Sequence, residues 1–260
     1  MSRKIALVTG AGRGIGKGIA LQLAKAGYDL GIHYSTTADG ALDAAEKARA
    51  LGARAEVFHA DIRNYDEIQE MFQAFFAVYD HVDLMVNNAG ITRFQPFLEA
   101  TPELFDTVVG TDLRGTYFCA QAAARNMVEK GVRGVIINIS SNHALGCWPN
   151  ATVYAAAKAG LDKLGKNMAM ELAPHGIRVV TIAPGYTQLP ERKRPDTPEA
   201  NARFKALTDR IPGGRFAGPR EIRGAVVLLA CEGAGYHTAT PPHIARGAAP
   251  PVLAENTFLK

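Results

Sequence analysis

The sequence predicts an α/β protein, a doubly wound parallel sheet with helices on both faces. Three observations carry this. Short β-branched runs alternate with longer stretches of helical period along most of the 260 residues, the rhythm of repeated βαβ units. The runs "ALV", "LMV" and "VIINI" are apolar without alternation, as strands are when both faces are covered. No break in composition divides the chain, and 47% of it is apolar, so a single domain over 1–260 is expected.

Taken in order, "KIALVT" reads as the first strand, followed by a glycine-rich turn that opens a helix over 14–26. "DLGIHY" and a helix over 41–51 come next, then "AEVFHA" and a helix over 66–79, then "DLMVNN" and a helical stretch over 101–130. "GVIINIS", a helix over 151–173 and "IRVVTIA" complete the pattern, and ligands belong at the carboxyl ends of such strands. From Pro184 the rhythm lapses into "GYTQLPERKRPDTPEANARFKAL", with three prolines after Gly185 and many charges. That excursion, with room for one short helix, makes 184–210 a candidate substrate lid, against the alternative of a tolerated surface insertion.

Composition narrows the function classes. The net charge of +4 is dispersed, with no run of five or six like charges, which describes a solvated surface and argues against a nucleic-acid partner. No window approaches a membrane span and "MSRKIALVTG" is too short in apolar residues for a signal core, so a cytoplasmic protein without a membrane partner is expected. Cys119, Cys147 and Cys231 are widely spaced without a CxxC. They suggest reduced packing thiols and no metal site.

The turn "VTGAGRGIG" carries glycines at 10, 12, 14 and 16. A backbone that turns tightly and brings N–H groups against phosphate at a helix N-terminus excludes β-carbons, so Gly10, Gly14 and Gly16 suit a dinucleotide pyrophosphate in the spacing TGxxxGxG. An acidic residue at the end of the second strand would bond both ribose hydroxyls of NAD. Here that strand ends "HYSTT". With no carboxylate to repel a 2′-phosphate and Arg13 able to meet one, NADP(H) is favoured and NAD(H) stays possible. Asp61, in "HADI", could bond an adenine amino group or cap the turn before the next helix.

"VYAAAKAG" places Tyr154 and Lys158 at i and i+4 on one helical face. A free phenol, with a pKa of about 10, is a poor proton carrier near neutrality. A nearby ammonium favours phenolate and brings such a group toward the working range of a general acid or base.

With "TGAGRGIG", "NNAG" at 87–90, "YAAAK" at 154–158 and "APG" at 183–185 all in order, the chain resembles the short-chain dehydrogenase/reductase family from Lys4 to about Gly235. The similarity is greatest to its 3-oxoacyl-(acyl carrier protein) reductase and sugar or polyol dehydrogenase branches. The resemblance implies a Rossmann-type fold and hydride transfer between a nicotinamide cofactor and a ketone or secondary alcohol, with Tyr154 as general acid/base. It also implies a homo-oligomer, dimer or tetramer. The family's catalytic serine stands thirteen residues before the tyrosine, which selects Ser141 over Ser140, and its hydroxyl would donate to the reacting oxygen. Lys158 would also hold the nicotinamide ribose, and Pro184 and Gly185 would wall the nicotinamide. Asn88, Ala89 and Gly90 would line the adenosine and ribose side, and Ile15, Ser35 and Ile62 belong to the same nucleotide surface.

Two features depart from the family. Twenty-five residues beyond Asn87 the family usually has an asparagine that positions a relay water; this chain has Asp112, which only accepts and whose charge could pair with Lys158. Asp112 is kept as a relay residue. The tail 236–260 is atypical: Pro241 and Pro242 lack the N–H that a central strand needs, so the seventh strand should be displaced, shortened or loose.

Around the inferred site stand Arg93, His143, Trp148, Asn150, Tyr186 and Gln188, several able to bond hydroxyls and one able to stack on a sugar face or aliphatic chain. The acyl-carrier branch often has an arginine before the glutamate late in the tyrosine helix, where this chain has Met170 before Glu171. A free small polar carbonyl, sugar or polyol is thereby favoured, with a 3-oxoacyl thioester still in view. The competing reading is an NADP(H)-binding sensor or regulator with weak or no catalysis. Ser141, Tyr154 and Lys158 together favour the enzyme, because nucleotide binding alone requires no phenol.

Overall fold

The computed structural model describes residues 3–189, 195–240 and 242–245. Seven strands form the sheet: β1 (Lys4–Val8), β2 (Tyr28–Tyr34), β3 (Ala55–His59), β4 (Leu84–Asn87), β5 (Val135–Ile139), β6 (Arg178–Pro184) and β7 (His243–Ile244). Their order is β3-β2-β1-β4-β5-β6-β7 and every pairing is parallel. The chain reverses its direction of travel between β1 and β4, where open α/β sheets part their loops and leave a crevice.

Eight α-helices accompany the strands among the described residues: α1 (Gly14–Lys25), α2 (Ala38–Ala50), α3 (Tyr65–Tyr79), α4 (Pro102–Val109), α5 (Thr116–Glu129), α6 (Thr152–Leu172), α7 (Pro198–Asp209) and α8 (Pro219–Ala230). Alanines and leucines of α1 and α2 and Val226 and Leu229 of α8 cover one face of the sheet. Ile68, Phe72 and Phe75 of α3, Cys119 and Met127 of α5 and Ala169 of α6 cover the other. Apolar strands sandwiched in this way explain the unalternating runs. Helix starts follow local chemistry: the Asn64 side chain accepts from Asp66 N, Thr101 from Leu104 N and Thr197 from Ala200 N, with Pro102 and Pro198 entering their helices in the first turn.

Two expectations change, one helix is added, and the seventh strand is narrowed to one of its alternatives. The stretch 101–130 is not one helix: between α4 and α5 the chain makes a π-helical turn over Gly110–Gly115. Gly115 permits it, because a β-carbon there would stand 2.6 Å from the Ile62 carbonyl oxygen. The helix α8 lies in a stretch that the sequence reading left unassigned. Only Cys119 is a buried packing thiol, whereas Cys147 and Cys231 are exposed. The seventh strand is shortened to two residues, with Ala183 N donating to Pro242 O (3.1 Å) and Gly185 N to Ile244 O (3.0 Å). Pro242 contributes only its carbonyl, so its missing N–H costs nothing. Pro241 and 246–260 of the tail, like 190–194 of the suggested lid, lie outside the described residues.

Candidate active site

At the carboxyl end of β1 the glycine loop meets the "NNAG" segment. Gly10 has φ +63° and a β-carbon on it would stand 2.9 Å from Ala89 Cα, so both conformation and space demand glycine. Thr9 Oγ1 accepts from Asn88 N and Ala89 N at 3.0 Å each. The Asn88 amide donates to Thr9 O (2.9 Å) and Gly10 O (3.2 Å), so this side chain shapes the loop. The N–H groups of Gly14, Ile15 and Gly16 open α1 and lack carbonyls one turn earlier, the arrangement that receives phosphate. A nucleotide pyrophosphate fits this cradle.

Arg13, the extended N-cap of α1, is exposed and makes no ion pair among the described residues. Ser35 is exposed just past β2, its carbonyl accepting from His59 Nε2 at 3.1 Å. Asn64 caps α3 itself, while Asp61 caps the turn before it, its Oδ1 accepting from Arg63 N (3.0 Å). Its carboxylate also pairs with the Arg63 guanidinium (2.9 Å), which holds the carboxyl below the usual range. Ile62 beside it is buried.

The reactive groups gather at the ends of β4 and β5. Lys158 is 4% exposed. Its Nζ donates to Ile139 O at 3.1 Å, pairs with Asp112 Oδ2 at 3.1 Å and lies 5.7 Å from the Tyr154 ring centroid. Burial lowers the ammonium pKa, but the charges of Asp112 and Tyr154, the Asp112 contact and the Asp162 charge outweigh it, and the net shift is upward. The expected Asp112–Lys158 pairing is therefore present. The π-helical turn delivers it, aiming Asp112 inward to 0% exposure while its Oδ1 accepts from Ile91 N at 2.8 Å. Gly90 leaves the space: its β-carbon would come within 3.1 Å of Asp112 Oδ2. Asp112→Asn removes the charge that competes with the phenol for the ammonium, and its turnover on any accepted ketone is expected to equal or exceed wild type. Loss of most turnover in that variant sinks this account of the relay.

Tyr154 is 8% exposed, and its hydroxyl makes no hydrogen bond among the described residues, which leaves it free for a substrate oxygen. Ser141 Oγ accepts from His143 N (3.2 Å), donates to Asn142 Oδ1 (3.3 Å) and lies 3.2 Å from His143 Nδ1. Ser140 instead donates to the Lys158 carbonyl at 3.3 Å, a structural bond that ties β5 to α6.

His143 is packed among aromatic rings. It stacks on Trp148 (4.1 Å between centroids) and on Phe94 (5.6 Å), and meets Tyr154 edge-on at 5.3 Å. Burial pushes its imidazole down to about 4, so it is neutral at pH 7. Trp148 Nε1 donates to the Tyr186 hydroxyl at 2.9 Å, and Tyr186 stacks on Phe216 at 5.3 Å. Gln188 is exposed, donates its N–H to Ala217 O (2.8 Å) and borders a cleft of about 530 Å³ shared with Phe204, Thr208 and Phe216. Asn150, at φ +61°, is exposed and contributes its carbonyl to Gln95 N (2.8 Å). Arg93 is exposed and unpaired among the described residues, so it is not gathered into the aromatic wall. Pro184 ends β6 and Gly185 follows it, where a β-carbon would meet Ala245 at 2.9 Å.

Fold and site define a doubly wound α/β protein with serine, phenol and amine at the carboxyl edge of its sheet, the arrangement of an oxidoreductase. The family profile described as short chain dehydrogenase matches residues 4–199. L-rhamnose 1-dehydrogenase (NAD(P)(+)) of Azotobacter vinelandii is 39% identical over 238 residues, 90% of this chain and 92% of that protein. A 3-oxoacyl-[acyl-carrier-protein] reductase of Staphylococcus aureus is 35% identical over 94% of this chain and 97% of its own. The crystal structure of acetoin dehydrogenase from Salmonella typhimurium superposes with a TM-score of 0.86 at 36% identity, covering 94% of this chain and 95% of that one. The chain belongs to the short-chain dehydrogenase/reductase family. It is an NAD(P)-dependent oxidoreductase acting on alcohol and ketone substrates.

Proposed function

We propose that the protein moves hydride between NADP(H) and a small polar ketone or secondary alcohol, with Tyr154 as the group that gives and takes the proton. The bound nicotinamide supplies or accepts the hydride. Ser141 donates to the reacting oxygen and holds it as negative charge grows there. Tyr154 Oη passes its proton to that oxygen in reduction and takes one back in oxidation, while the Lys158 ammonium favours the phenolate form. Asp112 holds the amine and takes part in the relay. The observation that carries this reading is the unpartnered phenol beside a buried, paired ammonium.

Gly10, Gly14, Ile15 and Gly16 would hold the pyrophosphate; Ser35, Asp61, Ile62 and the 88–90 segment would hold the adenosine and ribose; Pro184 and Gly185 would wall the nicotinamide. Arg13, exposed and unpaired, would meet a 2′-phosphate. A charge-assisted bond of this kind contributes about 1.5–3 kcal/mol. Arg13→Ala should weaken NADPH by about tenfold or more and leave NADH unchanged in fluorescence titrations; equal losses for both nucleotides reject the assignment.

For substrate, the relatives' names include L-rhamnose, acetoin and a 3-oxoacyl-[acyl-carrier-protein]. The aromatic wall of Phe94, His143 and Trp148 with the Tyr186 hydroxyl suits a polar molecule with a C–H face. Met170 is exposed where a carrier-docking arginine would stand, which favours a free substrate. The lid is assigned to the 184–210 segment, of which Tyr186 and Gln188 are bonded to Ala217. We assign a cytoplasmic homo-oligomer, dimer or tetramer; exposed Phe105 and Tyr117 on α4 and α5 support the oligomer.

NADPH consumption against a panel of ketones, 3-oxoacyl thioesters and keto sugars tests the proposal. Turnover with one class supports it. Tight NADPH binding without turnover on any member favours the sensor reading, for which Asp112 is the motivating residue.

A further inference from the structure

We propose that His33 is a nucleotide-positioning residue, a buried imidazole that buckles the glycine loop after β1 to the loop after β3 and so fixes the segment assigned to the pyrophosphate against the segment assigned to the adenine. This rests on the nucleotide-binding reading and is independent of the chemistry assigned to Tyr154.

His33 lies in β2 and is 1% exposed. A polar ring so deeply buried is costly unless both nitrogens are satisfied. Both are. Gly10 N donates to Nδ1 at 3.1 Å, and Nε2 lies 3.0 Å from Ala60 O. A backbone N–H cannot accept and a carbonyl cannot donate, so the two contacts dictate one tautomer, neutral with the proton on Nε2. Burial pushes the imidazole down to about 4, so this form persists at neutral pH.

The neighbouring backbone continues the tie. The carbonyl of His33 accepts from Ala11 N at 2.8 Å, and that of Tyr34 accepts from Ala60 N at 3.2 Å. Two successive N–H groups of the glycine loop are thus consumed by one residue, and anion binding falls to the first turn of α1. Ala60 leads directly into Asp61 and Ile62, so the ring sets the separation between the phosphate cradle and the adenine-side loop. Neither loop touches the Ser141–Tyr154–Lys158 cluster through His33, which makes the residue a determinant of nucleotide affinity.

Two variants test this. His33→Leu keeps comparable volume but leaves Gly10 N–H and Ala60 O unpaired, and its Kd for NADPH should rise at least about tenfold. In His33→Asn the amide oxygen can replace Nδ1 as acceptor, and affinity should return to within about threefold of wild type. Both variants should lower the apoprotein Tm, so affinity and stability separate in the Asn variant; a purely structural role predicts that they move together. A Leu variant binding within threefold of wild type, or an Asn variant as weak as Leu, overturns the proposal. If the Leu variant does not fold, nitrogen NMR of wild type decides: His33 protonated on Nε2 and shifting on NADPH addition supports the buckle, and an Nδ1 proton or an unmoved resonance overturns it. Failure of wild type itself to bind NADPH would reject the nucleotide reading, and this inference with it.

Discussion

Tyr154→Phe should lower turnover by about 10²- to 10⁴-fold, the range that a positioned proton carrier supplies, while the fold and the NADPH Kd stay near wild type. The substitution deletes a single oxygen. That oxygen has no hydrogen-bond partner among the described residues, so no buried donor or acceptor is orphaned. The ring keeps its edge-on packing against His143 (5.3 Å) and Phe94 (5.9 Å). On the proposed mechanism, what disappears is the proton at the end of the C=O bond opposite to the hydride. Ser141 cannot replace it, because a serine hydroxyl beside the neutral His143 lacks the ammonium that favours ionisation of the phenol. Steady-state reduction of an accepted ketone at saturating NADPH measures the effect, with thermal unfolding as the control for fold. A Phe variant within tenfold of wild type would assign the proton to another group.

Most of the sheet was legible in the chain because parallel strands buried on both faces must be apolar without alternation, and βαβ units repeat that signal. The motif residues were legible for a different reason: the glycine loop, "NNAG", "YAAAK" and "APG" each need particular residues at fixed spacing. What stayed hidden depends on three-dimensional meeting. The π-helical turn at 110–115 sits in a stretch read as one helix, and the closeness of Gly115 to Ile62 appears only in three dimensions. His33 reads as one polar residue in a strand until Gly10 and Ala60 are seen at its two nitrogens. Phe94 was missed because its loop gives no periodic signal, and its pairing with His143 exists only after two loops converge. The Asp112–Lys158 pair lay between these cases, since charge made it conceivable but the turn that buries it was not readable.

That pair carries the largest expected effect on stability. Lys158→Met removes the ammonium and leaves the Asp112 carboxylate, 0% exposed, with only the Ile91 N–H at 2.8 Å. Breaking one side of a buried ion pair costs about 3–5 kcal/mol, a fall in Tm of roughly 10 °C for a protein of this size. Adding Asp112→Asn to Lys158→Met removes the stranded charge, and the double variant should recover most of the loss, whereas activity should not return because the amine is still absent. The pH dependence has a definite sign. Lys158 has its pKa raised in the folded state, so its contribution is fully present below the unfolded value of about 10.4 and is lost as pH rises through the folded value. Denaturant unfolding should therefore show a constant gap between wild type and Lys158→Met from neutral pH to about 9, closing only in strongly alkaline solution. A Met variant as stable as wild type at pH 7, or a double variant no better than the single one, would mean that the ammonium and carboxylate do not stabilise one another. The amine would then be held by the Ile139 carbonyl alone, and its influence on the phenol would have to be argued without the charge opposite to it.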